Sequence, residues 1–220
     1  MQTSLENVGT ASGKGELEQF LPDYLKDSLG KLDYPIPIPT CWNVNDCSPD
    51  LKIDDNLLSV RYNGNRIAAA VRANYWIPEE TEVYYFEVDI LDGWDFGSRG
   101  YHGDDGLKFL EQGFGSQYGP TYTTGDTIGC CIDFFSTAIF FTKNGINLGY
   151  ACSFDGEPEN LYPAIGMRSR NARVEANFGN RPFKFDIKLY IETLSQQDLN
   201  SQHSQHSQQD FIKYLNSLIE

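Results

Sequence analysis

The chain has 220 residues and a formal net charge of −14. It is 14% aromatic, with 20 glycines and 10 prolines, a mixture that suits one turn-rich β domain and not a helical bundle. The acidity excludes two classes of function. No Lys/Arg cluster supplies the basic face that a nucleic-acid binder uses, and an anionic membrane would repel such a surface.

Residues 1–15 are polar and contain Gly and Ser, so they read as an unstructured lead. Met1–Glu6 has neither the basic region nor the apolar core of a signal peptide, and no apolar run reaches membrane-spanning length. An intracellular protein, cytoplasmic and/or nuclear, is expected. The five cysteines (Cys41, Cys47, Cys130, Cys131 and Cys152) are odd in number and lack the paired spacing of a zinc site. They read as small reduced hydrophobes.

From Glu16 to Leu29 the positions Leu17, Phe20, Leu21, Leu25 and Leu29 fit one face of a short helix, with Pro22 limiting where it starts. Tyr34-Pro35-Ile36-Pro37-Ile38-Pro39 predicts an extended lead-in, anchored by Trp42. Strands are predicted at 57–62, with an Asn63-Gly64-Asn65 turn after it, and at 68–73 and 82–90. The last of these alternates, with Val83, Tyr85, Glu87 and Asp89 on one face and Tyr84, Phe86, Val88 and Ile90 on the other. Further strands are predicted at 126–135 and 138–142. The second of them leads through Asn144-Gly145, a strong hairpin signal, into Ile146–Tyr150. Segments 161–166 and 173–179 complete an antiparallel sandwich. Ser195–Gln209 is a Gln/Ser/His-rich linker, and Phe211, Ile212, Leu215, Leu218 and Ile219 form a helical stripe.

Between the predicted strands lies Gly100-Tyr101-His102-Gly103-Asp104-Asp105-Gly106, with Tyr118-Gly119-Pro120-Thr121-Tyr122 beyond it. Glycines here demand tight turns or close backbone approach, and the aromatics give those turns something to pack on. Paired aspartates hold turns by accepting backbone N–H bonds. The stretch reads as a recognition surface of loops on a β scaffold. An alternative is a metal-dependent, hydrolase-like site made from His102, Asp104 and Asp105. Catalysis is not expected, because the other histidines, His203 and His206, lie in the linker and no Gly-x-Ser-x-Gly elbow is present. No metal and no cofactor is expected.

Seven runs in order carry a family resemblance. They are Tyr84–Val88, Gly100–Gly106, Tyr118–Pro120, Thr124–Cys130, Phe141–Gly145, Leu161–Pro163 and Ala176–Gly179. Together they resemble a SPRY domain over roughly Leu32 to Ile191. The Tyr-His-Gly-Asp-Asp-Gly run is similar to the Ran-binding protein M branch, whose fungal relatives scaffold the GID (CTLH) ubiquitin ligase. The resemblance implies an all-β, antiparallel, concanavalin-like jelly-roll sandwich. It divides the chain into an N-terminal tail with a short helix (1–31), the SPRY domain (32–192), a linker (193–210) and a helical stub (211–220). It also implies a non-catalytic module that binds peptide segments of proteins, GID/CTLH subunits among its partners. The implied site is Arg72, Tyr101, Gly103, Asp104, Asp105, Tyr118 and Thr121, with the aspartates favouring Arg- or Lys-bearing ligands.

Two departures from the family are expected to matter. Ile90-Leu91-Asp92 runs directly into Gly93-Trp94-Asp95, where the family places a Gly-rich strand and a loop. One internal strand is therefore expected to be lacking, leaving core positions uncovered and a sheet edge bare. Relatives also continue into LisH, CTLH and CRA regions, of which Phe211–Glu220 offers at most the first helical turns. A truncated, non-functional gene product is the remaining alternative.

Overall fold

The computed structural model describes residues 21–65, 68–92, 100–109, 114–154 and 161–197. In chain order its strands are β1 (Trp42–Cys47), β2 (Leu51–Ile53), β3 (Ser59–Tyr62), β4 (Ala69–Ala73), β5 (Val83–Asp92), β6 (Gly100–Tyr101) and β7 (Leu107–Phe109). They continue with β8 (Gly115–Gln117), β9 (Thr127–Asp133), β10 (Ala138–Lys143), β11 (Ile146–Ser153), β12 (Ala164–Met167) and β13 (Arg173–Asn177). They form a seven-stranded sheet, β11-β10-β9-β5-β13-β3-β2, and two three-stranded sheets, β1-β4-β12 and β6-β7-β8. Every pairing is antiparallel. The all-β sandwich is as expected.

β5 is central because both its faces are buried. Tyr84, Phe86 and Val88 enter the main core with Trp42, Val60, Val71, Met167, Val174 and Phe178. The opposite face meets a covering segment, with Tyr85 against Phe183 at 4.9 Å and Phe185 at 5.3 Å. The alternation read from the sequence therefore assigns both faces correctly. The β10–β11 hairpin follows from Asn144 and Gly145, at φ 52° and 81°. Two successive left-handed residues make the type I′ turn whose twist suits paired strands. Trp42 anchors the lead-in as expected, 1% exposed, donating Nε1–H to the Leu58 carbonyl at 2.8 Å.

At the N-terminal side, the expected helix is seen as a 3-10 turn, Asp23–Leu25, running into Lys26–Leu29. Pro22 precedes it and supplies the carbonyl for the Leu25 amide. The earlier part of the expected helix, through residue 20, lies outside the described residues. β1, β2 and the small sheet β6–β8 were not expected as strands.

Contacts divide the chain into residues Met1–Phe185 and Asp186–Glu220. Within the second unit a helix spans 187–197, capped by the Asp186 carboxylate, which accepts the Leu189 amide at 3.0 Å. This helix continues into the range read as linker. The rest of the linker, the stripe 211–219 and Gly93-Trp94-Asp95 lie outside the described residues. Among the described residues no helix is long and apolar enough to cross a membrane.

One consequence of the strand order bears on the site. Among the described strands β12 pairs with β4 alone and β6 with β7 alone, so each sheet of three ends in an open edge.

Candidate functional site

The small sheet is built on a tight turn. The His102 amide donates to the Leu107 carbonyl at 2.9 Å and the Gly106 amide to the His102 carbonyl at 3.2 Å. The Asp105 carboxylate accepts the Leu107 amide at 2.9 Å, the Asx-type role expected of it. Gly106 sits at φ 70°, and its carbonyl accepts from Gly119 at 3.0 Å and Tyr118 at 3.3 Å. The Tyr122 amide donates to the Gly103 carbonyl at 2.9 Å. The two glycine-flanked stretches are thus stitched together by backbone bonds, which is why they hold a defined shape.

Aromatic rings fill the space beneath. Tyr101 lies 5.3 Å from Tyr118, 5.1 Å from Tyr122 and 5.7 Å from Phe141. Each hydroxyl finds an acceptor: Tyr101 donates to the Pro120 carbonyl, Tyr118 to the Gly149 carbonyl at 2.7 Å and Tyr122 to the Tyr101 carbonyl at 3.0 Å. The Tyr118 oxygen also accepts the Phe141 amide at 2.9 Å. Burial pushes the Tyr118 phenol up to about 12, against a partial opposing effect of that amide. Burial likewise raises Tyr101. Both phenols stay protonated and act as donors throughout the physiological range.

Asp126 fixes the far end of the loop. Its carboxylate accepts the Thr123 amide at 2.9 Å and the Asn144 side chain at 2.7 Å, and pairs with Lys143 at 3.1 Å. Partial burial disfavours its charge, but the bonds from Asn144, Thr123 and Lys143 outweigh that and hold its pKa below the ordinary value. Lys143 also donates to the Thr121 carbonyl at 2.8 Å.

A cavity of about 100 Å³ lies beside this cluster. Its walls are β12 on one side and Tyr101 with Tyr122 on another, and Phe86, Val88, Ile128 and Phe141 of the seven-stranded sheet line it too.

The structure brings Tyr101, Gly103 and Tyr118 together in the cluster and leaves Asp105 and Thr121 exposed at its surface. Asp104 is half-buried on the same turn. Arg72 is placed on β4, where it bonds Asp46 at 2.6 Å and lies 4.6 Å over the Tyr162 ring.

His102, Asp104 and Asp105 hold potential ligand atoms within 4.8 Å of one another. Packing and turn formation already account for the placement of two of the three: His102 stacks on Phe109 at 3.9 Å and Asp105 accepts the Leu107 amide. Titration with calcium, magnesium or zinc is expected to leave the melting temperature of the purified chain within about 1 °C. A rise of several degrees with one of them would assign the cluster to that metal.

The SPRY domain family matches residues 76–181, a span holding β5 through β13 and the whole loop cluster. The chain contains a SPRY domain. Its curated relatives include Ran-binding proteins 9/10 homolog of Drosophila melanogaster, 43% identical over 176 residues, and Ran-binding protein 9 of Homo sapiens, 41% identical over 207 residues. These alignments take in 68% and 82% of this chain but only 18% and 28% of the relatives. The chain thus spans less than a third of either protein. The crystal structure of a human SPRY domain is 28% identical with a TM-score of 0.51, covering 61% of this chain and 98% of that one.

SPRY domains are protein-interaction modules, and in this one two members of the aromatic cluster, Lys108 and Tyr150, lie outside the stretches that the sequence singles out for recognition. Tyr122 ties the loop to the β6 backbone. Lys108 lies 5.5 Å from the Tyr118 ring and 5.7 Å from Tyr150, with its ammonium bonded to the Ala151 carbonyl. Tyr150 itself is exposed. The concentration of aromatics around residues 118–122 and 150 was the available signal, but only pairing across sheets shows which rings meet.

Proposed function

We propose that this SPRY domain is a non-catalytic binding module that engages short peptide segments of partner proteins through the loop cluster. In that reading the chain serves as a scaffold or substrate-recruiting part of a GID/CTLH-type ubiquitin ligase, in the cytoplasm or nucleus. The observation that carries the binding role is the turn His102–Gly106, locked by backbone bonds to residues 118–122 while presenting Asp105 and Thr121 to solvent. A rigid surface of this kind loses little entropy when it binds. Its exposed carboxylate favours Lys or Arg on the ligand. The SPRY match and the similarity to the Ran-binding 9/10 proteins support a protein as the partner.

The test is affinity capture of the tagged chain from cells, followed by mass spectrometry. Other subunits of that ligase should be recovered. The double variant Asp105→Lys with Thr121→Arg, both surface positions, should lower their recovery at least about fivefold, since an exposed charge reversal costs on the order of 1 kcal/mol of binding or more. Tyr101 is less suited to this purpose, because it is buried and its loss would disturb folding. Recovery of none of those subunits by the unaltered chain would sink the ligase assignment.

A further inference from the structure

β12 has two edges, and the described strands use one. Its register sets Ile165 opposite Val71 and Gly166 opposite Ala70 of β4. The Ala70 carbonyl accepts from Ser48 and the Asn74 amide donates to Cys41, both on the β1 side, whereas the Ala73 amide donates to Pro163. Successive residues of a strand direct their backbone groups to opposite edges. Val71 and Ala73 therefore face β12, and Ala70 and Arg72 face away from it. It follows that Ile165 exchanges hydrogen bonds with Val71, while Ala164 and Gly166 turn their N–H and C=O groups to the open edge.

The cavity described above lies along that edge, with all four residues of β12 in its wall. Tyr101, on the similarly open strand β6, forms part of the facing wall. The apolar side chains Phe86, Val88 and Ile128 of the seven-stranded sheet also line it. Backbone donors and acceptors that no described strand uses, beside an apolar floor, are what an added strand requires.

We propose that this slot accepts an extended segment of a partner protein, which adds as a β-strand along β12. Its occupant has apolar side chains at alternate positions, directed at the floor, and carries Lys or Arg in preference to Asp or Glu. The charge preference follows from Asp92, the charged residue of the lining, and from the net charge of −14. Four residues of β12 offer about 13 Å of edge, enough to pair with a segment of about four or five residues. This binding goes beyond the loop reading, because it uses the β12 backbone and not the turn side chains.

The probe is a fluorescent nine-residue peptide of alternating valine and threonine flanked by lysines, titrated into the full chain by anisotropy. Binding is expected below about 1 mM. Methylating every second backbone nitrogen of the peptide, in one of the two possible phases, should weaken it about tenfold or more by removing the bonds to β12. Glutamate flanks in place of lysine should weaken it similarly. Gly166→Pro removes an N–H that the β4 ladder does not use, so it should abolish binding while the chain stays folded. Asp105→Lys, on the loop surface, should leave the peptide bound, which separates failure of this proposal from failure of the loop reading.

The proposal is overturned by no binding at 1 mM on the scale used above, by indifference to both phases of methylation, or by equal affinity for the glutamate-flanked peptide. It is also overturned if Asp105→Lys releases the peptide and Gly166→Pro does not. Should sedimentation show a dimer that Gly166→Pro dissociates, the slot holds a second copy of the chain and the assignment to a different protein falls. If Gly166→Pro fails to fold, the methylated peptides decide the matter on the unaltered chain.

Discussion

Replacing Glu87 with leucine should lower the unfolding free energy by about 3–5 kcal/mol, among the largest effects of any single side chain. Glu87 is 0% exposed on β5. Its Oε1 accepts the Lys184 amide at 2.8 Å, the Phe185 amide at 3.1 Å and the Tyr85 hydroxyl at 3.0 Å. Leucine fits the volume but leaves the partly buried Lys184 and Phe185 amides without this acceptor and removes one of the two partners of the buried Tyr85 hydroxyl. The same network explains Gly129, which lies opposite Glu87 on β9. A methyl group there would overlap the Tyr85 oxygen and the Thr142 hydroxyl, which are themselves bonded at 2.8 Å. Glu87→Gln keeps an acceptor oxygen and should cost about 1 kcal/mol. Urea unfolding of the three proteins gives the comparison, and a leucine variant within 1 kcal/mol of the parent, on the scale of a single hydrogen bond, would contradict this account.

The consequence reaches the ligand side of the molecule. β5 carries Glu87 on one face and Phe86, Val88 and Ile90 on the other, and those three line the cavity beside β12. The segment ending at Phe185 clamps the back of the strand whose front forms the floor of the slot. Loosening the clamp should therefore blur the floor before the sandwich unfolds. A buried polar network is an apt clamp, because its bond directions permit one register where an apolar contact would permit several.

How legible this was in the sequence depended on the range of the interactions. β5 and the Asn144-Gly145 hairpin were readable, since alternation and two left-handed turn residues act within a few positions. β1 was not, because Asn43, Asn45 and Asp46 leave it without an apolar face, and only its two ends, Trp42 and Cys47, pack on the core. The strands β6, β7 and β8 are two or three residues long and exist because tyrosines and backbone carbonyls from elsewhere hold them, so nothing periodic announces them. The tight turn of the loop cluster was legible as a turn, from glycines and aspartates whose roles are local. Arg72 entered by resemblance, and its actual partners, Asp46 and Tyr162, lie 26 residues before it and 90 after it in the numbering. Such pairings are set by sheet order, which a single sequence does not encode locally.

Gly106→Ala should be the most damaging conservative change at the loop cluster. At φ 70° an alanine is strained by about 1 kcal/mol before any contact is considered. Its methyl group would also overlap the Gly119 carbonyl oxygen, a backbone atom that no rotamer change can move aside. The Gly106 carbonyl receives the Gly119 and Tyr118 amides, so shifting it separates the turn from residues 118–122. The total is expected to be about 3 kcal/mol, confined to the small sheet, because β5 and β9 pair independently of it. Hydrogen exchange should accordingly show faster exchange at Leu107, Gly119 and Tyr122 with the β5 and β9 amides unchanged, and loop-dependent recovery of partners should fall as far as with the surface double variant. Uniform loss of protection across all strands would mean that the small sheet is an integral part of the core and not a module resting on it.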